Sequence, residues 1–327
     1  NSEIITALAA MELAEENIIF LNEKEVRPDQ EQFLNEFFIE KVGPALVTVI
    51  LHDQVQDLSD NKAFLVVTLT VDEQGESSPL YALIELPKQL DRFVVLPKEG
   101  DKQYVMLLDD LIRYNFHLIF NMFNYSSIEA HMVKITRDAE LDLEEDVGKS
   151  YVEKIMNSVK DRMIGDPVRL VHDKTITEDT LNFIMKKLGI GTTDSLIPGG
   201  RYHHRRDYMN FPSLDRNDLM YPSVAPLPIK GLRLDGNIFI SIAEKDYLLY
   251  APYHNYAYII KFLREAALDP KVRNIKITLY RLSQNSQVVS ALINAAKNGK
   301  KVTVQIELQA RFDEKNNIIF AERLDAA

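Results

Sequence analysis

The hydrophobic pattern divides the chain into two regions of different periodicity. Residues 3–42 carry apolar side chains at helical spacing, which predicts a helical segment that stops at Gly43 and Pro44. From residue 45 to about 215, strand-like and helix-like blocks follow one another, which is typical of an α+β domain. The strand-like blocks are 62–71, 81–86, 93–96 and 131–137, and the helix-like blocks are 107–120 and 152–163.

The last quarter of the chain has the clearest periodicity. Apolar residues alternate with polar ones at 275–279 and at 302–308, which predicts two strands. Between them, Asn285 and Ser286 precede a helical pattern as N-cap residues, and Gly299 follows it as a C-cap. Further helical patterns begin at 254–255, ending at Asp269 and Pro270, and near 319. This β-α-β-α order predicts parallel neighbouring strands joined by a right-handed crossover.

A connection rich in proline separates the two regions. Prolines and a Gly199-Gly200 pair cluster between about 190 and 232, which favours an extended linker. We therefore place the domain boundary near Leu227.

Composition narrows the possible chemistry. The 327 residues contain no Cys and no Trp, which removes thiol nucleophiles, disulfides and Cys-based metal sites. The net charge is −11, but residues 251–327 hold 12 Lys and Arg against 7 Asp and Glu, so this quarter is basic. No signal peptide or apolar run of membrane-spanning length is visible. Because the chain lacks an initial Met and stops within a helical pattern, we expect it to be part of a longer protein.

Two arginines stand where a parallel sheet would bind a ligand. Arg281 follows the first predicted strand and Arg311 follows the second, 30 residues later. Ligands bind at the carboxyl ends of such strands, and neighbouring strands lie about 4.8 Å apart. Two interpretations are open: the arginines bind an anion such as phosphate, or they form structural pairs with Asp313 or Glu314.

The residues around these arginines resemble bacterial polyphosphate kinase, the ATP-dependent polymerising family. The matching stretches at the end of the chain are KITLYR (276–281), NS (285–286), ALINAAKNGK (291–300) and ELQARFDE (307–314). Earlier stretches that agree are FVVLP (93–97), ITRDAEL (135–141) and GDPVRL (165–170). The matches follow the order of the family and span most of the chain.

The resemblance implies a domain layout. It assigns residues 1–12 to the remnant of an N-terminal helical domain and 13–227 to an α+β head domain. Residues 228–327 would open the first of two C-terminal domains, an α/β domain resembling phospholipase D with a mixed or parallel sheet.

The resemblance also implies an activity. The family transfers the terminal phosphate of ATP to inorganic polyphosphate, reversibly, through a phosphohistidine. Arg281 and Arg311 match the two family arginines that line the magnesium–phosphate site. Arginine has no lone pair for a metal, so these side chains are expected to bind phosphate oxygens rather than Mg²⁺.

Other implied properties concern the whole protein. The nucleophilic His is expected beyond Ala327, so the chain holds no catalytic residue of its own and is expected to be inactive alone. The expected partners are ATP or ADP, polyphosphate and a second copy of the chain, without nucleic acid. The expected location is the cytoplasm, or the periphery of the inner membrane.

Two alternatives compete with this reading. The chain could be a non-catalytic fragment that binds phosphate and forms dimers, or a phosphodiesterase resembling phospholipase D; the head-domain matches argue against the latter. His203 and His204 lie in a basic loop that is more often solvated surface than a site. The acidic run 141–146 lacks the spacing of a calcium loop and is interpreted as a solvated helix start.

Overall fold

The computed structural model describes residues 2–51, 63–73, 76–137, 155, 167–190, 196–203, 205–310 and 313–327. The chain forms two compact units. The first comprises residues 1–140 and 162–220, and the second comprises 141–161 and 221–327. The predicted helix 152–163 lies outside the described residues except at residue 155, which is helical. Within the described ranges, no helix is long and apolar enough to cross a membrane.

The first unit mixes helices with two sheets. Its α-helices are α1 (Ser2–Glu15), α2 (Pro28–Phe37), α3 (Leu108–Tyr114), α4 (Phe116–Ile119) and α5 (Glu178–Leu188). Its strands are β1 (Ile18–Leu21), β2 (Val47–Ile50), β3 (Ala63–Glu73), β4 (Glu76–Glu85), β5 (Phe93–Val95), β6 (Gln103–Leu107), β7 (Tyr125–Arg137), β8 (Pro167–Asp173) and β9 (Leu196–Gly199). A π-helical turn at Phe38–Val42 and 3-10 turns at Gly43–Ala45, Arg205–Asn210 and Asn217–Leu219 complete it.

The larger sheet has apolar residues on both faces. Its strand order is β2-β4-β3-β7-β8-β9, antiparallel except for the parallel pair β8–β9. Along β3, Leu65 and Val67 face one buried cluster, while Phe64 and Val66 face another. Helix α5 covers the second cluster with Ile184. Because strands alternate their side chains, a central strand buried on both faces reads as a continuous apolar run.

The segment 3–42, predicted to be helical, is interrupted by a strand. Helix α1 ends at Glu15, and Asn17 adopts a left-handed backbone conformation with φ of 60° that reverses the chain. Strand β1 follows and pairs in parallel with β6, so that Ile18 lies opposite Gln103. Strand β5 completes this small sheet on the other side of β6. Strand β1 thus joins a sheet whose other two strands, β5 and β6, lie far along the chain.

The second unit contains the β-α-β-α segment that the pattern predicted. Its elements are α6 (Ile238–Glu244), α7 (Ala257–Leu268), β10 (Asn274–Leu279), α8 (Gln287–Lys297), β11 (Lys301–Ile306) and α9 (Glu314–Asp325). Strands β10 and β11 are parallel neighbours, from Asn274 opposite Lys301 to Leu279 opposite Ile306. Helices α7 and α8 pack their apolar faces against each other and the sheet through Leu263 and Leu292.

The caps of α8 are also as predicted. Ser286 accepts a hydrogen bond at its hydroxyl from the Val289 backbone N–H, at 3.3 Å, which satisfies one free donor of the first turn. At the other end, Gly299 has a φ of 76°, and Lys300 donates its backbone N–H to the Ala295 carbonyl. This is a Schellman motif, in which a residue without Cβ takes the left-handed position at little cost. Both ends of α8 are therefore fixed by local sequence.

Candidate functional site

Arg281 lies at the carboxyl edge of the two-stranded sheet. It is two residues beyond Leu279, the last residue of β10, which stands opposite Ile306 at the end of β11. The start of α8, capped by Ser286, follows a few residues later. Arg311 falls outside the described residues, so its convergence with Arg281 stays a prediction.

The side chain of Arg281 is half-exposed and contacts two neighbours. Its Nη1 donates a hydrogen bond to Oδ2 of Asp313 at 2.7 Å, and its guanidinium lies 5.4 Å from the ring centre of Tyr280. Arg281 therefore has the carboxylate partner that one of the two interpretations expected. Its side chain is 49% exposed, and ion pairs of such exposure contribute about 0–1 kcal/mol. So weak a pair does not prevent a more highly charged anion from taking the place of Asp313.

A buried amide, which the sequence pattern did not single out, joins the ends of the two strands. Asn317 in α9 is 1% exposed, and its Nδ2 donates to the carbonyls of Tyr280 and Glu307 at 2.8 Å each. Nothing in the apolar pattern marks this Asn, since it is a polar residue on the inner face of a helix. Its partners precede it by 37 and 10 residues, so only the fold brings them together.

The described residues around Arg281 do not build a magnesium site. Among them, no group of three or more His, Asp or Glu side chains is placed to hold a metal ion. The nearest carboxylate, that of Asp313, is occupied by the guanidinium of Arg281. Mg²⁺ in phosphate-transfer sites is held mainly by substrate phosphates, waters and one or two carboxylates. The residues present do not fit an all-protein Mg²⁺ site.

Two histidines of the described chain, one of them from the basic loop, make local contacts with the backbone. His203 Nε2 lies 2.9 Å from the Gly200 carbonyl, while His204 falls outside the described residues. His254 accepts a hydrogen bond at Nδ1 from the Tyr250 backbone N–H at 3.0 Å. The acidic run 141–146 lies outside the described residues.

A buried ionic cluster in the first unit was not foreseen. Asp110, 1% exposed, accepts hydrogen bonds at Oδ1 from Arg113 and Arg201 at 2.9 Å each, and at Oδ2 from the Tyr202 hydroxyl at 2.7 Å. Burial and the nearby Asp110 carboxylate raise the pKa of Tyr202, which keeps its hydroxyl protonated as a donor. Burial opposes the charge of Arg201, but Asp110 and Glu23 outweigh it and raise its pKa. The cluster connects α3 to the segment after β9.

An open cleft of about 570 Å³ lies beside this cluster in the first unit. Its charged lining residues are Glu23, Lys24, Arg113, Glu129, Asp173 and Arg201. Three basic side chains face three acidic ones, so the cleft does not select an anion by charge. His131 lies in the wall of this cleft, and burial lowers its pKa. The positive charges of Arg113 and Arg201 also lower it, while the carboxylates of Asp173 and Glu129 raise it.

Two family models together match most of the chain. The model described as polyphosphate kinase middle domain matches residues 29–211. The model described as polyphosphate kinase C-terminal domain 1 matches residues 237–327, which contain Arg281 and α9.

Similar proteins carry the same designation. A polyphosphate kinase of Vibrio vulnificus strain YJ016 is 38% identical over 323 residues, covering 97% of this chain and 46% of the relative. One of Escherichia coli strain K12 is 37% identical over 329 residues, covering 97% of this chain and 47% of the relative. A crystal structure of polyphosphate kinase from Porphyromonas gingivalis superposes with a TM-score of 0.74 at 29% identity, over 97% of this chain and 45% of that chain. The chain thus spans about half the length of the curated relatives it matches.

Proposed function

The chain belongs to the polyphosphate kinase family, and from that premise we propose that its complete gene product transfers the terminal phosphate of ATP to inorganic polyphosphate. The transfer is reversible and passes through a phosphohistidine that lies beyond Ala327. ATP or ADP and polyphosphate are the substrates, Mg²⁺ accompanies the phosphates, and the protein acts as a cytoplasmic or peripheral inner-membrane homodimer. Within it, residues 1–12 end a helical domain, 13–227 form the head and 228–327 open a domain resembling phospholipase D.

The observation that carries the proposal is the position of Arg281. It stands at the carboxyl edge of a parallel pair of strands, half-exposed, in a stretch that the family model covers. A guanidinium at this edge offers fork-shaped donors to phosphate oxygens. Arg311 follows β11 in the sequence, 30 residues after Arg281, and the proposal assigns its side chain to the same edge of the sheet.

Positioning and charge stabilisation account for most of the catalysis of phosphate transfer, because the protein itself forms few covalent bonds. Arg281 and Arg311 bind non-bridging phosphate oxygens and neutralise the charge that develops during transfer. Since they hold no lone pair, they donate hydrogen bonds and do not coordinate the metal. The basic charge of residues 251–327, in an otherwise acidic protein, favours the approach of a polyanion to this side.

Variants of the complete gene product test this assignment. Arg281→Ala and Arg311→Ala should each lower polyphosphate synthesis by about 100-fold or more, the effect seen when one transition-state donor is removed. The matched control is Arg273→Ala, an exposed arginine at the amino end of β10, which should retain full synthesis. Near-normal synthesis in the Arg281 or Arg311 variant would contradict the phosphate-binding role.

The position of the nucleophile has its own test. Incubated with ATP labelled at the terminal phosphate, the 327-residue chain should form no phosphoenzyme, while the complete gene product should become labelled. The chain alone is then a phosphate-binding half of the enzyme. Stable labelling of the 327-residue chain would show that a nucleophile lies within it and would overturn the placement beyond Ala327.

A further inference from the structure

The first turn of α9 holds the backbone that carries Arg281. Asn317 donates from one amide group to the carbonyl of Tyr280, directly before Arg281, and to that of Glu307, directly after β11. Both distances are 2.8 Å, so both N–H groups of this side chain are used. The amide is almost wholly buried.

This amide extends the pairing of the two strands beyond their ends. The last rung of the ladder is a backbone hydrogen bond from the Glu307 N–H to the Leu279 carbonyl at 3.1 Å. Beyond it, Asn317 bridges the two chains through its side chain. Both hydrogen bonds are partly buried, so the loss of this amide would remove the bridge between the residues that lead into Arg281 and towards Arg311.

Two further contacts come from the same turn. Asn316 donates from Nδ2 to the Leu282 carbonyl at 3.2 Å, and Asp313 accepts from the Arg281 side chain. Tyr280, Arg281 and Leu282 are therefore each held by the first turn of α9 or by its N-cap residue. The backbone of this short segment is fixed from one side, while the guanidinium itself stays half-exposed.

We propose that Asn317 is a positioning residue for Arg281, setting the place of its guanidinium during phosphate transfer. The inference rests on the proposed function, in which Arg281 binds the transferred phosphate. Asn317 touches no substrate and acts only through the backbone carbonyls it binds. Phosphate transfer depends steeply on the placement of the groups that neutralise charge, so a small shift of Arg281 slows the reaction.

The test is a double-mutant cycle in the complete gene product, with kcat and KM measured for polyphosphate synthesis from labelled ATP. Asn317→Ala should lower kcat about tenfold, since a displacement of 1 Å can cost up to about 100-fold. Arg281→Ala should lower it further, and the double variant should match Arg281→Ala alone, because a residue that acts through another loses its effect when that other is gone. Asn294→Ala, an exposed Asn on α8, is the matched control and should match wild type.

Thermal unfolding will show whether Asn317→Ala folds. If it does not, Asn316, which is less buried, provides a second variant. Asn316→Ala removes one contact to the same segment and should lower kcat about threefold, again only while Arg281 is present. Effects that multiply with that of Arg281→Ala would mean that the asparagines only stabilise the fold, and would overturn the proposal. If Arg281→Ala abolishes synthesis but both Asn variants match Asn294→Ala, the positioning role alone is wrong. If Arg281→Ala retains synthesis, the proposed phosphate-binding role is wrong.

Discussion

Arg281, two residues after the end of β10, forms an ion pair with Asp313, the N-cap residue of α9. The distance from Nη1 of Arg281 to Oδ2 of Asp313 is 2.7 Å. Asp313 is thus the resting partner of a guanidinium that we assign to phosphate. Both side chains are partly exposed, at 49% and 29%, so the ion pair is weak. An incoming anion can therefore displace the Asp313 carboxylate from Arg281.

Removal of the Asp313 charge should strengthen polyphosphate binding. In the complete gene product, Asp313→Asn should lower the KM for polyphosphate about two- to fivefold at low salt, which corresponds to a Coulomb energy of about 0.5–1 kcal/mol. The gain should shrink as salt is added, because exposed charges are screened. Steady-state kinetics at two ionic strengths measure both effects.

The control for this variant is Asp325→Asn, which removes the same charge at the far end of the 12-residue helix α9, about 18 Å away. Its KM should stay near the wild-type value. An increase of KM in Asp313→Asn would show that Asp313 supports the anion site instead of competing for Arg281.

Loss of the cap should destabilise α8 locally. Ser286→Ala removes the acceptor of the Val289 N–H, and lost caps of this kind cost about 0.5–2 kcal/mol. Amide hydrogen exchange in α8 should therefore be about two- to thirtyfold faster than in wild type. Asn294→Ala, an exposed substitution within the same helix, should leave exchange unchanged or slower, since Ala is the better helix former. Equal exchange in wild type and Ser286→Ala would contradict the role of this cap.

Neutralising Asp110 should destabilise the first unit strongly. The carboxylate accepts from two arginines and a tyrosine, and Asp110→Asn keeps the shape while replacing one acceptor oxygen by a donor. Breaking a buried pair in this way costs about 3–5 kcal/mol. Urea unfolding followed by circular dichroism measures the loss, with exposed Asp101→Asn as the control that should cost less than about 0.5 kcal/mol. A similar cost in both variants would mean that the cluster is not held by Asp110.

The His131 side chain should make stability depend on pH. Burial lowers the pKa of His131 in the folded protein from its ordinary value of 6.5. The unfolded chain therefore binds a proton at this histidine before the folded protein does. The contribution of His131 to the free energy of unfolding is complete above pH 6.5 and is lost as the pH falls below it. Between pH 7.5 and 5.5, wild type should lose up to about 1.4 kcal/mol more than His131→Gln. Urea unfolding at both pH values measures this difference.

The charged groups that face His131 are Asp173, Glu129, Arg113 and Arg201. All four remain in the His131→Gln variant, so the comparison isolates the imidazole. Exposed His117→Gln is the matched control and should keep the wild-type dependence. An identical loss in wild type and His131→Gln would contradict a lowered pKa.

Local patterns were sufficient to predict the β10-α8-β11 segment. Its strands alternate cleanly, and Ser286 and Gly299 are residue types favoured at the start and just beyond the end of a helix. The helical prediction over 3–42 missed β1, because a strand of four residues is too short to change the helical spacing of the apolar residues around it. Strand β1 exists through pairing with β6, a contact that no local propensity encodes.

The candidate site shows the same limit. The position of Arg281 at the sheet edge followed from the order of elements, and its partner Asp313 was among the expected ones. Asn317 could not be found in this way, because its role depends on two carbonyls from separate strands. The Asp110 cluster likewise joins residues 91 and 92 positions apart, which only tertiary structure determines.

The parallel pairing of β1 with β6 also constrains the order in which the protein can fold during translation. During synthesis β1 leaves the ribosome before its partner β6, which follows more than eighty residues later. During that interval the apolar strand has no sheet to join, and such unpaired segments are where growing chains meet chaperones or aggregate. The small sheet of the first unit can therefore close only after Leu107 has left the ribosome, when about half of that unit, which extends to Met220, has been made.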